Sequence, residues 1–312
     1  MNKLGLLLPL IAALAACGAQ ETPAPAPKAT VPVVADQPAT PPPPRSATDL
    51  VSDKLDAAVG GSWRSEANKG RDAYRHPKET LAFFGVKPGE NVVEITPGGG
   101  WYSEILAPMM KGNGTYTAAI TQPKKKDGEA AQDKTALQKM FEGNAAEFGD
   151  AKTIEFDPKA PMLGTPDSAD TVLTFRNVHN WAMADTAPAM FKAFFAVLKP
   201  GGTLGVVEHR AAANADMEKI KESGYLPEDF VIKLATDAGF KLVAKSEINA
   251  NSKDTKDYEK GVWTLPPSLA LADKDKEKYV AIGESDRMTL RFQKPGGDRI
   301  FDQGIEKSAA AK

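Results

Sequence analysis

One cysteine and three histidines are all that this 312-residue chain carries of the side chains most used to hold transition metals. A single cysteine excludes an intrachain disulfide. His76, His179 and His209 stand far apart without paired spacing, so the sequence offers no metal-ligand pattern and no metal is expected. Surplus charge is lacking too, since 39 basic and 41 acidic residues leave a formal charge of −2. A nucleic-acid partner, which needs a basic surplus, is therefore not expected. The runs Lys124-Lys125-Lys126 and Lys274-Asp275-Lys276 read as solvated surface. The apolar run from Leu4 to Ala16 is too short to span a bilayer as a stable helix. With 42% hydrophobic and 26% charged residues, the composition suits one large globular domain or two small ones.

What is present is organised around residues 91–102. Val92 to Ile95 is strand-like and runs into Thr96-Pro97-Gly98-Gly99-Gly100. Trp101, Ile105, Leu106 and Met109 then recur at helical spacing. A strand, a glycine turn and a helix N-terminus in this order form the common nucleotide-binding device of α/β sheets. The glycines let the backbone approach a ligand, and the helix N–H groups face it. Glu94, near the strand's end, sits where it can accept a hydrogen bond from that ligand.

The rest of the chain alternates in the same way. Asp49–Val59 and Lys78–Phe84 read as helices on either side of a polar stretch, 63–77, that holds Asp72, Arg75 and His76. Strands are expected at Thr115–Ile120, Lys152–Phe156 (followed by Asp157), Asp170–Phe175 and Thr203–Val207. Helices are expected at 134–148, 187–198 and 226–238, the second ending in a Lys199-Pro200-Gly201-Gly202 turn. Phe240–Ser246 and Arg287–Gln293 close the series, with a polar insertion at 249–286 between them. Two polar clusters follow strand ends, Asn177-Val178-His179-Asn180-Trp181 and Glu208-His209-Arg210. Open α/β sheets bind ligands at such ends.

The Glu94–Tyr102 turn resembles motif I of the class I S-adenosylmethionine-dependent methyltransferases, with Glu94, Gly98 and Gly100 on the acid and the second and third glycines. Thr96 stands where the first glycine belongs. Residues 176–181 resemble motif IV, and Leu198-Lys199-Pro200-Gly201-Gly202 resembles the turn before strand five. Together with Arg71-Asp72, Arg75-His76-Pro77, Ala107-Pro108 and Ser285-Asp286-Arg287, these resemble a group of bacterial secreted or lipoprotein predicted methyltransferases. The resemblance implies a Rossmann-like, seven-stranded methyltransferase sheet, mostly parallel, with helices on both faces. It implies S-adenosylmethionine as cosubstrate, held by Glu94, Thr96, Gly98, Gly100, Tyr102, Asp157 and Asn177, and methyl transfer to a small-molecule acceptor. His179 or His209 would take the acceptor's proton with Glu208 orienting it, while Asp72, Arg75 and His76 close over the substrate. The family's acid after strand two is replaced by Thr121-Gln122-Pro123. That departure keeps open an alternative, a non-catalytic ligand-binding lipoprotein on the same fold.

Leu14-Ala15-Ala16-Cys17 resembles the bacterial lipobox, which makes Cys17 the lipidated first residue of the mature chain. Residues 1–17 then form the signal peptide and 18–48 a Pro/Ala-rich disordered tether. The methyltransferase-like domain runs over 49–300, with an N-terminal helical cap at about 49–84, and 301–312 is a frayed tail. Gly18 gives no inner-membrane retention signal, so the expectation is an outer-membrane lipoprotein facing the periplasm.

Overall fold

A computed structural model describes residues 46–121, 134–213 and 215–296. Cys17, the signal peptide, the tether before Ser46, Gln122-Pro123 and the tail lie outside the described residues. Among the described residues no helix is long and apolar enough to cross a membrane.

The chain opens with α1 (Ala47–Val59), whose N-cap Ser46 and Asp49 form a reciprocal capping box. Two single-turn helices follow, α2 (Glu66–Lys69) and α3 (Asp72–Arg75), and then α4 (Pro77–Phe84), which starts on its proline. The alternating part begins with β1 (Asn91–Ile95), α5 (Ser103–Met110) and β2 (Thr115–Thr121). The helix expected over 134–148 is instead two, α6 (Ala136–Gly143) and α7 (Ala145–Phe148). Asn144, with φ −137° and ψ 64°, breaks it. Next come β3 (Lys152–Phe156), β4 (Ala169–Phe175), α8 (Val178–Met183) and α9 (Ala187–Val197).

The fifth strand departs most from expectation. β5 runs from Leu198 to His209 and absorbs the Leu-Lys-Pro-Gly-Gly segment read as a turn. The segment is extended because its backbone finds partners: Gly201 donates to Lys294 at 2.9 Å, and Lys294 donates to Gly202 at 3.0 Å. The turning is done by a bulge in the pairing with β4, where Leu198 lies opposite Ala169 and Thr203 opposite Thr171, and by Gly201 at φ +79°. Short α10 (Met217–Ile220), α11 (Glu228–Asp237), β6 (Lys241–Ser246), α12 (Lys276–Ile282) and β7 (Arg287–Gln293) complete the domain.

The seven strands form one sheet in the order β3-β2-β1-β4-β5-β7-β6. All neighbouring pairs are parallel except those of β7, which runs antiparallel to both β5 and β6. Chain order turns around between β1 and β4, the switch point where such sheets take ligands. Period-2 alternation builds two cores. Val93, Ile95, Val172, Leu204 and Val206 face α8, α9 and α11. Val92, Leu173 and Val207 face α1 and α4 to α7. The same alternation puts Glu94 with Val92, on the side of α5.

Candidate functional site

Two residues just past the switch-point strands share an unusual backbone. Thr96 follows β1 at φ +52° and Arg176 follows β4 at φ +61°. Each nonetheless keeps the ladder going by one bond, Thr96 N–H to Ala119 O and Arg176 N–H to Val207 O, both at 2.7 Å. Left-handed conformations of non-glycine residues cost of order 1–3 kcal/mol and cluster at functional sites. Asn177 ties the two ends together: its Nδ2 donates to Ile95 O at 3.0 Å and Thr96 O at 3.3 Å. Thr96 Oγ1 is buried with no hydrogen-bond partner among the described residues.

The glycine turn divides by function. Cβ atoms built on Gly98 or Gly99 would meet nothing within 4 Å, so this part of the loop is an open cradle. A Cβ on Gly100 would meet Leu137 Cδ1 at 2.8 Å and Met140 Cε at 2.9 Å, so Gly100 lets α6 pack and does not face the cradle. Tyr102, expected near the cosubstrate, belongs to the core. Its ring stacks on Phe175 at 3.6 Å between centroids with a 12° interplanar angle, and burial raises its pKa.

Glu94 is buried under α5, where Oε2 accepts from Tyr116 Oη at 2.6 Å and from Ser103 Oγ at 3.1 Å. Oε1 has no protein partner among the described residues. Burial raises its pKa from 4.5 to about 7, against the two hydrogen bonds, which lower it. Asp157 stands at the end of β3, one strand beyond β2 from the cradle, and is exposed with Oδ1 accepting from Lys159 N–H at 2.9 Å.

Beyond Asn177, the motif IV segment enters α8 and meets the end of β5. Glu208 is fully buried; its Oε1 accepts from His179 Nδ1 at 2.9 Å and from the His209 amide at 2.8 Å. Its Oε2 accepts from the His179 amide at 3.2 Å. With Nδ1–H committed to the carboxylate, His179 Nε2 is the accepting nitrogen. The His209 ring lies 5.2 Å from that of His179, and its Nδ1 is 2.5 Å from Ser285 Oγ. Burial, then repulsion from His179 whenever it is protonated and from Arg176, Arg287 and Arg75, holds His209 well below its usual pKa, so it is neutral at pH 7. Ligand atoms of His179, Glu208 and His209 lie within 4.8 Å of one another, a spacing that a metal ion can share.

Of the polar cap residues, Asp72 and Arg75 form ion pairs within the chain. Asp72 pairs bidentately with buried Arg64 at 2.7 and 2.8 Å. Arg75 is buried beneath the Trp101 ring, 4.7 Å from its centroid, and its Nε bonds Glu284 at 3.1 Å. His76, at φ +42° between α3 and α4, lines a cavity of about 200 Å³ with Asn249, Asn251, Glu284 and Arg287. Glu284, which sequence reasoning missed, is the hub here: Arg71, Arg75 and Arg287 all bond its carboxylate. Its one sequence signal is its place three residues before Arg287, in the segment Ser285-Asp286-Arg287.

No family model matches the chain, and no curated protein matches it. Solved structures do. The chain is similar to the [4+2]-cyclase SpnF, at 17% identity and a TM-score of 0.51 over 80% of this chain and 94% of that one. A SAM-dependent methyltransferase from Aquifex aeolicus matches at 14% identity and a TM-score of 0.47, over 78% and 97%. Another from Methanosarcina mazei matches at 15% and 0.45, over 70% and 98%. What the chain shares with SpnF is the fold: a Rossmann-like, mostly parallel seven-stranded sheet with helices on both faces.

Proposed function

We propose that this chain transfers a methyl group from S-adenosylmethionine to a small-molecule acceptor. The observation that carries the proposal is the pairing, at one end of the sheet, of an open glycine cradle with a carboxylate-oriented histidine. The cradle has the properties the cosubstrate needs. Gly98 and Gly99 leave room for close backbone approach, Thr96 Oγ1 is an unused polar group, and Glu94 Oε1 is an unused acceptor. S-adenosylmethionine, when bound, supplies an electrophilic methyl on a sulfonium sulfur. In-line transfer then depends mainly on holding donor and nucleophile in register. His179 Nε2, fixed by Glu208, accepts the proton that an acceptor hydroxyl or amine loses, and neutral His209 beside it adds no charge to be overcome.

Calorimetry of the full chain with S-adenosylhomocysteine tests this. Gly99 is the position to change, because its backbone is not left-handed and its side is open, so Gly99→Leu fills the cradle without straining the loop. Binding by the wild type, weakened at least about tenfold in a Gly99→Leu variant of unchanged melting temperature, is expected. Binding that is equal in both sinks the assignment of the cradle.

A second reading, ligand binding without catalysis, rests on β2, which ends at Thr121 with an exposed hydroxyl where the family carries an acid. A folded wild type that binds no S-adenosylhomocysteine would favour it. The cellular setting is also proposed: Leu14-Ala15-Ala16-Cys17 supports lipidation at Cys17 and anchoring to the outer membrane, facing the periplasm. Labelled palmitate incorporated by the wild type and not by Cys17→Ser would establish the anchor; label in both would remove it.

A further inference from the structure

Four arginines from three separate parts of the chain converge on a single carboxylate. Arg71 Nε lies 2.7 Å from Glu284, Arg75 Nε 3.1 Å, and Arg287 Nη1 3.1 Å. Arg176 adds its charge to the same group from the end of β4, and its guanidinium makes no hydrogen bond or ion pair among the described residues. The nearby acids are already engaged. Asp72 is held by Arg64, and Asp286 by Arg210 and Lys256. Two buried carboxylates therefore act on the four guanidiniums, Glu284 on all of them and Glu208, itself held by His179 and His209, on Arg176; Arg75 and Arg287 are nearly without solvent contact.

The excess appears in hydrogen bonding as well as in charge. Arg71 Nη2 and Arg75 Nη2 are buried donors with no acceptor among the described residues. An unmet buried donor costs about 1–3 kcal/mol, more where the group is charged. Repulsion from neighbouring arginines, added to burial, pulls Arg75 down to about 9 and Arg176 down to about 10. Such an arrangement is costly in isolation and is relieved by an incoming anion.

The cluster's position and chemistry identify that anion's class. Arg75, Arg176 and Arg287 all act on His209, the neighbour of the proposed base. The cluster contains arginines and no lysine, and the planar fork of arginine matches the paired oxygens of carboxylate and phosphate. Taking the methyltransferase reading as given, we infer that Arg71, Arg75 and Arg176 bind a carboxylate or phosphate of the acceptor, with Arg287 adding its charge while its donors stay on Glu284, Ser285 and Tyr74, so that the substrate is an anionic small molecule. Arg176, whose guanidinium has no partner among the described residues, is the residue most directly available to it. Glu284 keeps the other three in place while the site is empty.

Arg176→Gln is the variant to test, because it breaks no bond of the folded chain. Titration of the full chain with inorganic phosphate and with acetate, at constant ionic strength in chloride, is followed by calorimetry and thermal shift. Phosphate or acetate binding, weakened about tenfold by Arg176→Gln, is expected. Binding equal in both proteins, or absent from the wild type, overturns the site. Two nucleoside probes separate the acceptor from the cosubstrate's own carboxylate. Arg176→Gln should leave the affinities for S-adenosylhomocysteine and for methylthioadenosine, which lacks the amino-acid part, both unchanged. Loss of the first with retention of the second would assign the arginines to the cosubstrate and overturn the acceptor reading. Arginine-dependent anion binding by a chain that takes neither nucleoside would keep the anion site and remove the methyltransferase reading instead.

Discussion

Glu208 holds His179 twice over, with Oε1 on the ring Nδ1 at 2.9 Å and Oε2 on the backbone amide at 3.2 Å. One buried carboxylate thereby sets both the tautomer and the place of the imidazole. In Glu208→Gln one oxygen becomes an amide donor, which cannot accept from both groups. The ring then gains by moving its proton to Nε2, the nitrogen required to act as base. A loss of roughly 10²- to 10⁴-fold in turnover is expected, the range for removing a general base. Nitrogen chemical shifts of the His179 ring report the tautomer without need of an acceptor. Nδ1 protonated in both proteins would refute the orienting role.

Glu94 predicts an unusual pH dependence. Burial raises its carboxyl from 4.5 to about 7, so the folded chain holds its proton more tightly than the unfolded chain does. The stability this gives is complete below pH 4.5 and is lost as pH rises through 7, about 3 kcal/mol in all. Glu94→Gln keeps an acceptor for Tyr116 and has no proton to lose. Urea titrations across this range should show the variant gaining on the wild type as pH rises. Parallel stability curves would mean that Glu94 is not held in an apolar setting.

The strands and the switch point were legible in the sequence because they are local. The apolar run Val92 to Ile95 and the glycines after it are written within ten residues, and β3 and β7 have the expected bounds. Glu94 stands out in that run as its one acid, yet its partner Tyr116 comes from the next strand and needs the register to be found. The Lys199-Pro200-Gly201-Gly202 segment carries turn chemistry and is nevertheless strand, because Lys294 pairs with it from across the sheet. Glu284 was illegible for a plainer reason: it meets Arg71 across 213 residues, and no local pattern marks such a contact.

Glu284 should be worth far more than a surface ion pair. Burial alone would raise its pKa, yet Arg287, Arg75, Arg71 and Arg176 pull it down to about 2. A lowered carboxyl gives stability that is present above pH 4.5 and is lost as pH falls toward 2. Glu284→Gln removes the shared counter-charge and strands two buried guanidiniums, Arg75 and Arg287, with half-buried Arg71 beside them. A loss of about 3–5 kcal/mol is expected in denaturant unfolding, as for other broken buried pairs. If phosphate or acetate occupies the arginines, either anion should recover part of that loss, and chloride should not. A variant within about 1 kcal/mol of wild type, the scale of exposed pairs, would show the cluster to be solvated.

Thr96 offers the sharpest separation of stability from function. It takes φ +52° where the resembling turn has glycine, and its β-branched side chain is poorly suited to that conformation. Thr96→Gly relieves the strain and removes a buried hydroxyl that has no partner, at the expense of a looser unfolded chain. A net gain of about 1 kcal/mol is expected. Thr96→Ala controls for the hydroxyl alone, since alanine keeps the left-handed strain and should gain less than glycine. Binding of S-adenosylhomocysteine completes the comparison. If glycine stabilises the fold and both variants lose affinity, the hydroxyl contacts the ligand and the strain is retained for binding. If affinity is untouched in both, Thr96 is a tolerated departure, and the cradle works through Gly98 and Gly99 alone.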